Sequence, residues 1–309
     1  MRHEYGKYLV EAGKRNRDII VFDADLKDST QSIQFEKAFP DRFIDVGIAE
    51  QNMVGMAAGF ALSGKLPIIH SFATFISLRA CEQVRTTIAY PNLNVKFVVS
   101  HAGISCGSAG TTHHSTEDIG IMRSIPNITI IVPCDSNEVK QSLDAALQIN
   151  GPVYIRLSAS DVEDIYGPND IFVLGKAITL RNGNDATIIT TGTMAEQGLE
   201  AVNLLREKYG INSRLLHMAS IKPIDYGAVK KAAIETHFIV TVEEHNILGG
   251  LGSSVSEIIA ELGVGKVKRI GINDRFCGVG STRHLMESEG LTAKNIVENV
   301  FSLIGSASD

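Results

Sequence analysis

Ten short runs of apolar and β-branched residues, separated by longer stretches of helical periodicity, restrict this chain to a small group of α/β folds. In the first half the runs cover residues 19–25, 42–47, 66–72, 94–101, 128–134 and 152–158. Several are almost continuously apolar, the pattern of parallel strands covered on both faces. Residues 50–63 carry Val54, Ala57, Ala58, Ala61 and Leu62 at helical spacing, which predicts one apolar helix face. Gly55 and Gly59 lie four apart in the same stretch, where another backbone can approach closely, inside the fold or at a subunit contact. Residues 158–185 break the alternation, with turn sequences at Gly167-Pro168-Asn169-Asp170 and Asn182-Gly183-Asn184-Asp185. Strands are expected again at 186–192, 213–220, 238–244 and 266–272, with helices at 194–209 and 226–236. The predicted fold class is α/β, with two doubly wound domains at 1–165 and 186–309 joined by a surface linker at 166–185.

A chain of 309 residues has the length for two such domains. Its 44% hydrophobic and 21% charged residues match a soluble globular protein. A net charge of −6 without a basic cluster argues against nucleic-acid binding. No apolar run is long enough to span a bilayer. Met1 leads directly into Arg2-His3-Glu4-Tyr5, so no secretory leader is expected. Cys81, Cys106, Cys134 and Cys277 form no C-x-x-C pair. They are expected as incidental or buried thiols of a cytoplasmic protein, with no metal centre.

Asp45-Val46-Gly47-Ile48-Ala49-Glu50-Gln51-Asn52 stands where a strand ends and a helix begins. Ligands of open α/β sheets bind at the carboxyl ends of strands. Glu50 opens an otherwise apolar helix, and in isolation a favourable charge at the positive helix end is the better explanation of it. A glycine-rich loop, residues 103–110, precedes Thr111-Thr112-His113-His114. Adjacent histidines rarely face one metal ion. A histidine on a loop at a strand's carboxyl end is either a surface or hydrogen-bonded side chain or an acid–base contact for a substrate. Gly249-Gly250-Leu251-Gly252 reads as a turn into a helix rather than a nucleotide loop.

Taken in order, residues 45–51, Ala57-Ala58-Gly59, Ser71-Phe72-Ala73-Thr74-Phe75, the loop from His101 to His113, Val132-Pro133-Cys134-Asp135, Ile221-Lys222-Pro223-Ile224-Asp225 and Glu243-Glu244-His245 resemble transketolases and deoxyxylulose-phosphate synthases. The resemblance implies a thiamine-diphosphate pyrimidine-binding domain followed by a transketolase C-terminal domain. It implies that Glu50 hydrogen-bonds a pyrimidine nitrogen and favours the imino tautomer that takes the thiazolium proton. Phe75 matches an aromatic that packs on the aminopyrimidine, with Ile48 and Leu78 expected in the same cofactor wall. Leu78 and Cys81 stand where the family often has further aromatics, so that wall is expected to be more aliphatic here. His113 matches a histidine near the reacting carbons, and His101 matches a substrate contact. Ser29 matches a contributor to the distal anion site, and a turn serine or helix cap is the other reading of it.

Two positions depart from the family. Ala109 stands where transketolases carry an aspartate that reads sugar stereochemistry, and Ala159 or Ser160 stands where they carry a phosphate-gripping arginine. A bidentate phosphate clamp is therefore expected to be absent, and a substrate other than the usual pentose and hexose phosphates is expected. Arg156, three residues before Ala159, is expected to point elsewhere. The Gly-Asp-Gly motif that holds Mg2+ and the diphosphate in this family occurs nowhere in the sequence. A diphosphate-binding N-terminal subunit is expected to supply it, in a two-plus-two heterotetramer acting on sugars or sugar phosphates. A 2-oxoacid dehydrogenase beta subunit and a non-catalytic regulatory paralogue share the two-domain plan and remain as alternatives.

Overall fold

The computed structural model describes residues 1–160, 162–167 and 170–305. Pro168 and Asn169, at the centre of one expected turn, lie outside the described residues. The expected runs fold as strands β1 (Ile19–Asp23), β2 (Phe43–Asp45), β3 (Leu66–Phe72), β4 (Lys96–Ser100), β5 (Thr129–Ile131) and β6 (Val153–Arg156). Further along come β7 (Ile178–Arg181), β8 (Thr187–Thr190), β9 (Arg214–His217), β10 (Ser220–Lys222), β11 (Phe238–Asn246) and β12 (Lys266–Ile272). All residues of β1, β3, β4 and β6 are buried, as continuous apolar runs require of strands covered on both faces.

The first sheet has the order β10-β5-β6-β4-β3-β1-β2 and the second the order β12-β11-β8-β9-β7. Every pairing is parallel except β10 with β5 and β7 with β9. Both exceptions differ from the sequence expectation. Strand β7 lies inside the stretch expected as linker. Strand β10 belongs by position to the second half of the chain but completes the first sheet, pairing Ser220 with Ile131 and Lys222 with Ile130. Short strands of three and four residues give too little periodicity to be recognised from sequence.

The helix Glu50–Leu62 buries Met53, Val54, Ala57 and Ala58, but Leu62 is exposed. The expected apolar face is therefore shifted toward Met53. A Cβ placed on Gly55 or Gly59 would meet nothing within 4 Å, so this glycine pair packs against nothing in its own chain.

Arg156 is buried and engaged by partners inside the chain. Its Nε donates to Asp118 Oδ2 at 2.8 Å, and its Nη2 donates to the carbonyls of Ser115 at 3.2 Å and Glu244 at 3.0 Å. Tyr154 Oη donates to the same Asp118 oxygen. Since Glu244 lies on β11, this buried arginine ties the two sheets together. Glu138 does the same, because its Oε2 accepts from Cys134 N at 2.7 Å and pairs with His217 Nε2 at 2.9 Å. Metal-ligand-type atoms of Cys134, Glu138 and His217 lie within 4.8 Å of one another. Burial raises the Cys134 thiol well above its ordinary range, and the hydrogen bonds that tie the two sheets here run through the Glu138 carboxylate. The Gly249–Gly252 run opens the helix Leu251–Leu262, whose first N–H groups at Leu251 and Gly252 donate to the Glu243 carboxylate.

Candidate active site

Four neighbouring strands deliver the candidate site. Register pairs Asp23 with Asp45 and with His70, and Phe72 with Ser100, so β2, β1, β3 and β4 end at one edge of the sheet. The segments leaving those ends enclose a cavity of about 320 Å³, lined by Leu26, Ile48, Glu50, Phe75, Arg79 and His113 together with Ala24, Asp25 and Thr112. Two larger depressions, of about 460 and 540 Å³, flank the helix Met194–Tyr209 and share Glu196 and Glu200; they contain none of the expected site residues.

Glu50 is 1% exposed and is the first residue of its helix. A buried carboxylate requires partners. Ser71 Oγ donates to its Oε1 at 3.3 Å, and Arg79 Nη1 donates to its Oε2 at 2.7 Å. Arg79 closes a π-helical turn, Phe75–Arg79, in which Ala80 N donates to Phe75 O. Such turns are over-represented at functional sites. The Arg79 guanidinium carbon sits 4.3 Å from the centroid of the Phe75 ring.

The aromatic wall extends from Phe75 to Phe72, which are stacked at 5.8 Å, and on to His101, stacked on Phe72 at 3.9 Å. His113 meets Phe75 edge-on at 5.5 Å and Phe72 at 6.2 Å. Its Nδ1 lies 2.9 Å from Thr112 Oγ1.

His101 has a left-handed backbone, with φ of 55°. Strained conformations of this kind are held where the surrounding structure over-determines them. Burial, reinforced by the charges of Arg2 and His113, pushes its pKa down to about 3. The neutral ring has one acceptor and one donor nitrogen. Nε2 lies 3.2 Å from Arg2 Nη1, a cation that can only donate, so Nε2 is the acceptor. Nδ1, 2.9 Å from Ser100 Oγ, then carries the proton.

Arg2 was not singled out from sequence. Its guanidinium joins three expected positions: Nη1 donates to Ser29 O at 2.7 Å and faces His101, while Nη2 donates to Ala159 O at 3.2 Å. The missing arginine near Ala159 therefore does not leave the place without a guanidinium; one arrives from the helix Arg2–Arg15. No local signal links residues 2 and 159, because only the closed fold brings them together.

The structure thus gathers Glu50, Phe75, Ile48 and His113 around one cavity and sets His101 and Ser29 beside it, bridged by Arg2. Ile48 is 74% exposed at the cavity rim. Leu78 is 54% exposed and does not line the cavity. Within the π-helical turn it is Arg79 that faces Glu50, a residue the sequence reading passed over. Ala109 ends an exposed turn, Gly107–Ala109, in the loop before His113.

Comparison with known proteins places both halves of the chain in one family. Residues 1–164 match the family model for the transketolase pyrimidine-binding domain, and residues 175–296 match the transketolase C-terminal domain. A Methanocaldococcus jannaschii protein described as a transketolase C-terminal section is 45% identical over 97% of this chain and 95% of its own length. A 6-deoxy-6-sulfo-D-fructose transketolase subunit from Clostridium sp. (strain MSTE9) is 42% identical over 96% of this chain and 92% of its own. Among solved structures, a split-gene transketolase described as an inactive beta4 tetramer superposes with a TM-score of 0.90 at 42% identity, covering 98% of both chains. With both family domains matched in order and relatives of nearly equal length, this chain belongs to the transketolase family, whose members depend on thiamine diphosphate.

Proposed function

We propose that this chain is the pyrimidine-binding subunit of a split transketolase that transfers a two-carbon ketol unit between sugars or sugar phosphates. The observation that carries the reading is Glu50, a fully buried carboxylate that opens a helix at the carboxyl end of the sheet and faces Phe75 and His113 across one cavity. The donor set suits an aminopyrimidine. Glu50 offers a carboxyl to a ring nitrogen, Phe75 offers an aromatic face, and Ile48 and Leu26 offer apolar edges. The planar Arg79 guanidinium already sits on the same two partners. Thiamine diphosphate, when bound, supplies the thiazolium that stabilises carbanion character on the transferred unit.

Within this chain, Glu50 would offer its carboxyl to the pyrimidine nitrogen from the cavity wall. His113 stands at the rim to hydrogen-bond substrate hydroxyls and relay a proton. Arg2 is the cation offered to the distal end of the substrate, set beside His101 and Ser29 by their acceptor atoms. A phosphate and a sulfonate both present tetrahedral oxyanions to such a group, and the name of one relative includes a sulfonated sugar. The first domain runs from 1 to 165, and the second takes in β7 from the stretch expected as linker, so that it starts near residue 175 rather than 186. Mg2+ and the diphosphate are assigned to a partner subunit, a reading supported by the split-gene transketolase that this chain matches over 98% of both lengths. The outward Gly55 and Gly59 give that subunit a surface of close approach, within a two-plus-two assembly in the cytoplasm. No helix among the described residues is long and apolar enough to cross a membrane.

The chain purified alone is expected neither to turn over sugars nor to bind thiamine diphosphate tightly, and addition of the diphosphate-binding subunit is expected to restore both. Calorimetry on the isolated chain tests this; micromolar affinity without any partner would sink the shared-site reading. Arg2→Ala is expected to lower kcat/KM for substrates with a distal phosphate or sulfonate by about 10- to 100-fold, the worth of a charge-assisted contact of about 1.5–3 kcal/mol. Uncharged analogues should change little. An equal loss on charged and uncharged sugars would assign Arg2 a structural role instead.

A further inference from the structure

Arg79 occupies the place that a flat, N–H-donating ring would take. Its guanidinium lies 4.3 Å from the Phe75 centroid, and its Nη1 donates to Glu50 Oε2 at 2.7 Å. Guanidinium and aminopyrimidine share the features these partners read: a delocalised plane, in-plane N–H groups that suit a carboxylate, and a face that stacks on an aromatic ring. Phe75 already stacks on Phe72, so the guanidinium and an aminopyrimidine would compete for its remaining face in a cavity of about 320 Å³. The side chain has a way out, since it is 44% exposed while its partner Glu50 is 1% exposed. Its backbone is held in place by Gln51 Nε2, which donates to Arg79 O at 3.0 Å, and by the π-helical turn, so the long stem can swing without moving the wall.

We propose that Arg79 is a built-in stand-in for the aminopyrimidine, which keeps Glu50 paired and Phe75 covered until the cofactor docks, then yields both and turns to solvent. The inference rests on the reading of Glu50 and Phe75 as the pyrimidine seat. Its physical reason is the cost of a buried, unpaired carboxylate, which the arginine removes from the waiting subunit. Its consequence is that cofactor affinity is set by competition: whatever stabilises the Arg79 contacts weakens binding by the same factor.

The test is calorimetric titration of thiamine diphosphate with Mg2+ into the enzyme assembled from this chain and its partner, comparing wild type, Arg79→Met and Arg79→Lys. Methionine keeps an unbranched stem but neither pairs with Glu50 nor stacks as a cation. The Met variant is expected to bind the cofactor about 3- to 30-fold more tightly, the range for losing one ion pair and one cation–π contact, with a smaller gain for Lys. In wild type labelled with 15N-arginine, one guanidinium signal should move from paired to solvent-exchanging on saturation. Unchanged or weaker affinity in the Met variant overturns the inference, because Arg79 is then a bystander or a ligand of the bound cofactor. Glu50→Ala separates this from the underlying reading. Unchanged affinity in that variant removes the pyrimidine seat itself. Weakened affinity there, with no gain on losing Arg79, removes only the stand-in.

Discussion

Glu50→Gln is expected to leave fold and assembly intact while slowing hydrogen–deuterium exchange at the thiazolium carbon of the assembled enzyme by about 10²-fold or more, the scale of a lost acid–base contribution. The amide has nearly the same shape as the carboxyl; its one oxygen can still accept from Arg79 Nη1, and its NH2 can donate to Ser71 Oγ, the two groups that approach Glu50 at 2.7 and 3.3 Å. What it lacks is a proton that can be shared with a pyrimidine nitrogen. The loss should therefore fall on exchange and kcat, with cofactor affinity changed much less. Quenched-flow exchange followed by NMR reads the effect directly. Exchange at the wild-type rate would remove Glu50 from the chemistry, leaving it the ordinary acid of a helix start.

Arg156→Met is expected to destabilise the chain by about 3–5 kcal/mol, the penalty for stranding the other half of a buried ion pair. Asp118 is fully buried, and its Oδ1 already has no hydrogen-bond partner among the described residues. Removing the guanidinium also leaves the carbonyls of Ser115 and Glu244 without their donor. The urea midpoint should fall by about 1 M or more for a protein of this size. Arg156→Met combined with Asp118→Leu should recover a large share of the loss, because the stranded charge is then gone. A double variant as unstable as the single one would show that the carbonyl bonds, not the ion pair, dominate.

The parallel core was legible in the sequence because burial on both faces writes itself as an apolar run, as at 66–72, which coincides with β3 to the residue; the half-exposed edge strand β12 was found at 266–272 by its alternation instead. Strand β10 was not, since Ser220–Lys222 is too short for periodicity and its partner Ile130–Ile131 lies some ninety residues earlier. The functional side chains divide in the same way. Glu50 and His113 stand in polar motifs where a strand gives way to a helix or loop, which a linear reading notices, whereas Phe75 and His101 were picked out by the family resemblance. Arg2 sits within an ordinary first helix, and its role depends on His101 and Ala159 being folded back against it. Arg79 was in plain view four residues after Phe75, but helical spacing alone does not reveal the widened turn that aims it at Glu50.

The crossing of β10 into the first sheet bears on how the protein emerges from the ribosome. Strand β6 ends at Arg156, yet the edge of its sheet is closed only when Lys222 has been made. At roughly 5–20 residues per second, β5 waits for several seconds as a bare strand edge. Its Ile130 and Ile131 are fully buried in the finished fold and would be at the open margin of the nascent one. Exposed apolar edges of this kind are templates for pairing with other chains. Synthesis should therefore be most prone to aggregation between these two points, and holdase chaperones should be found on stalled chains that end between residues 160 and 220, and far less on chains released past them.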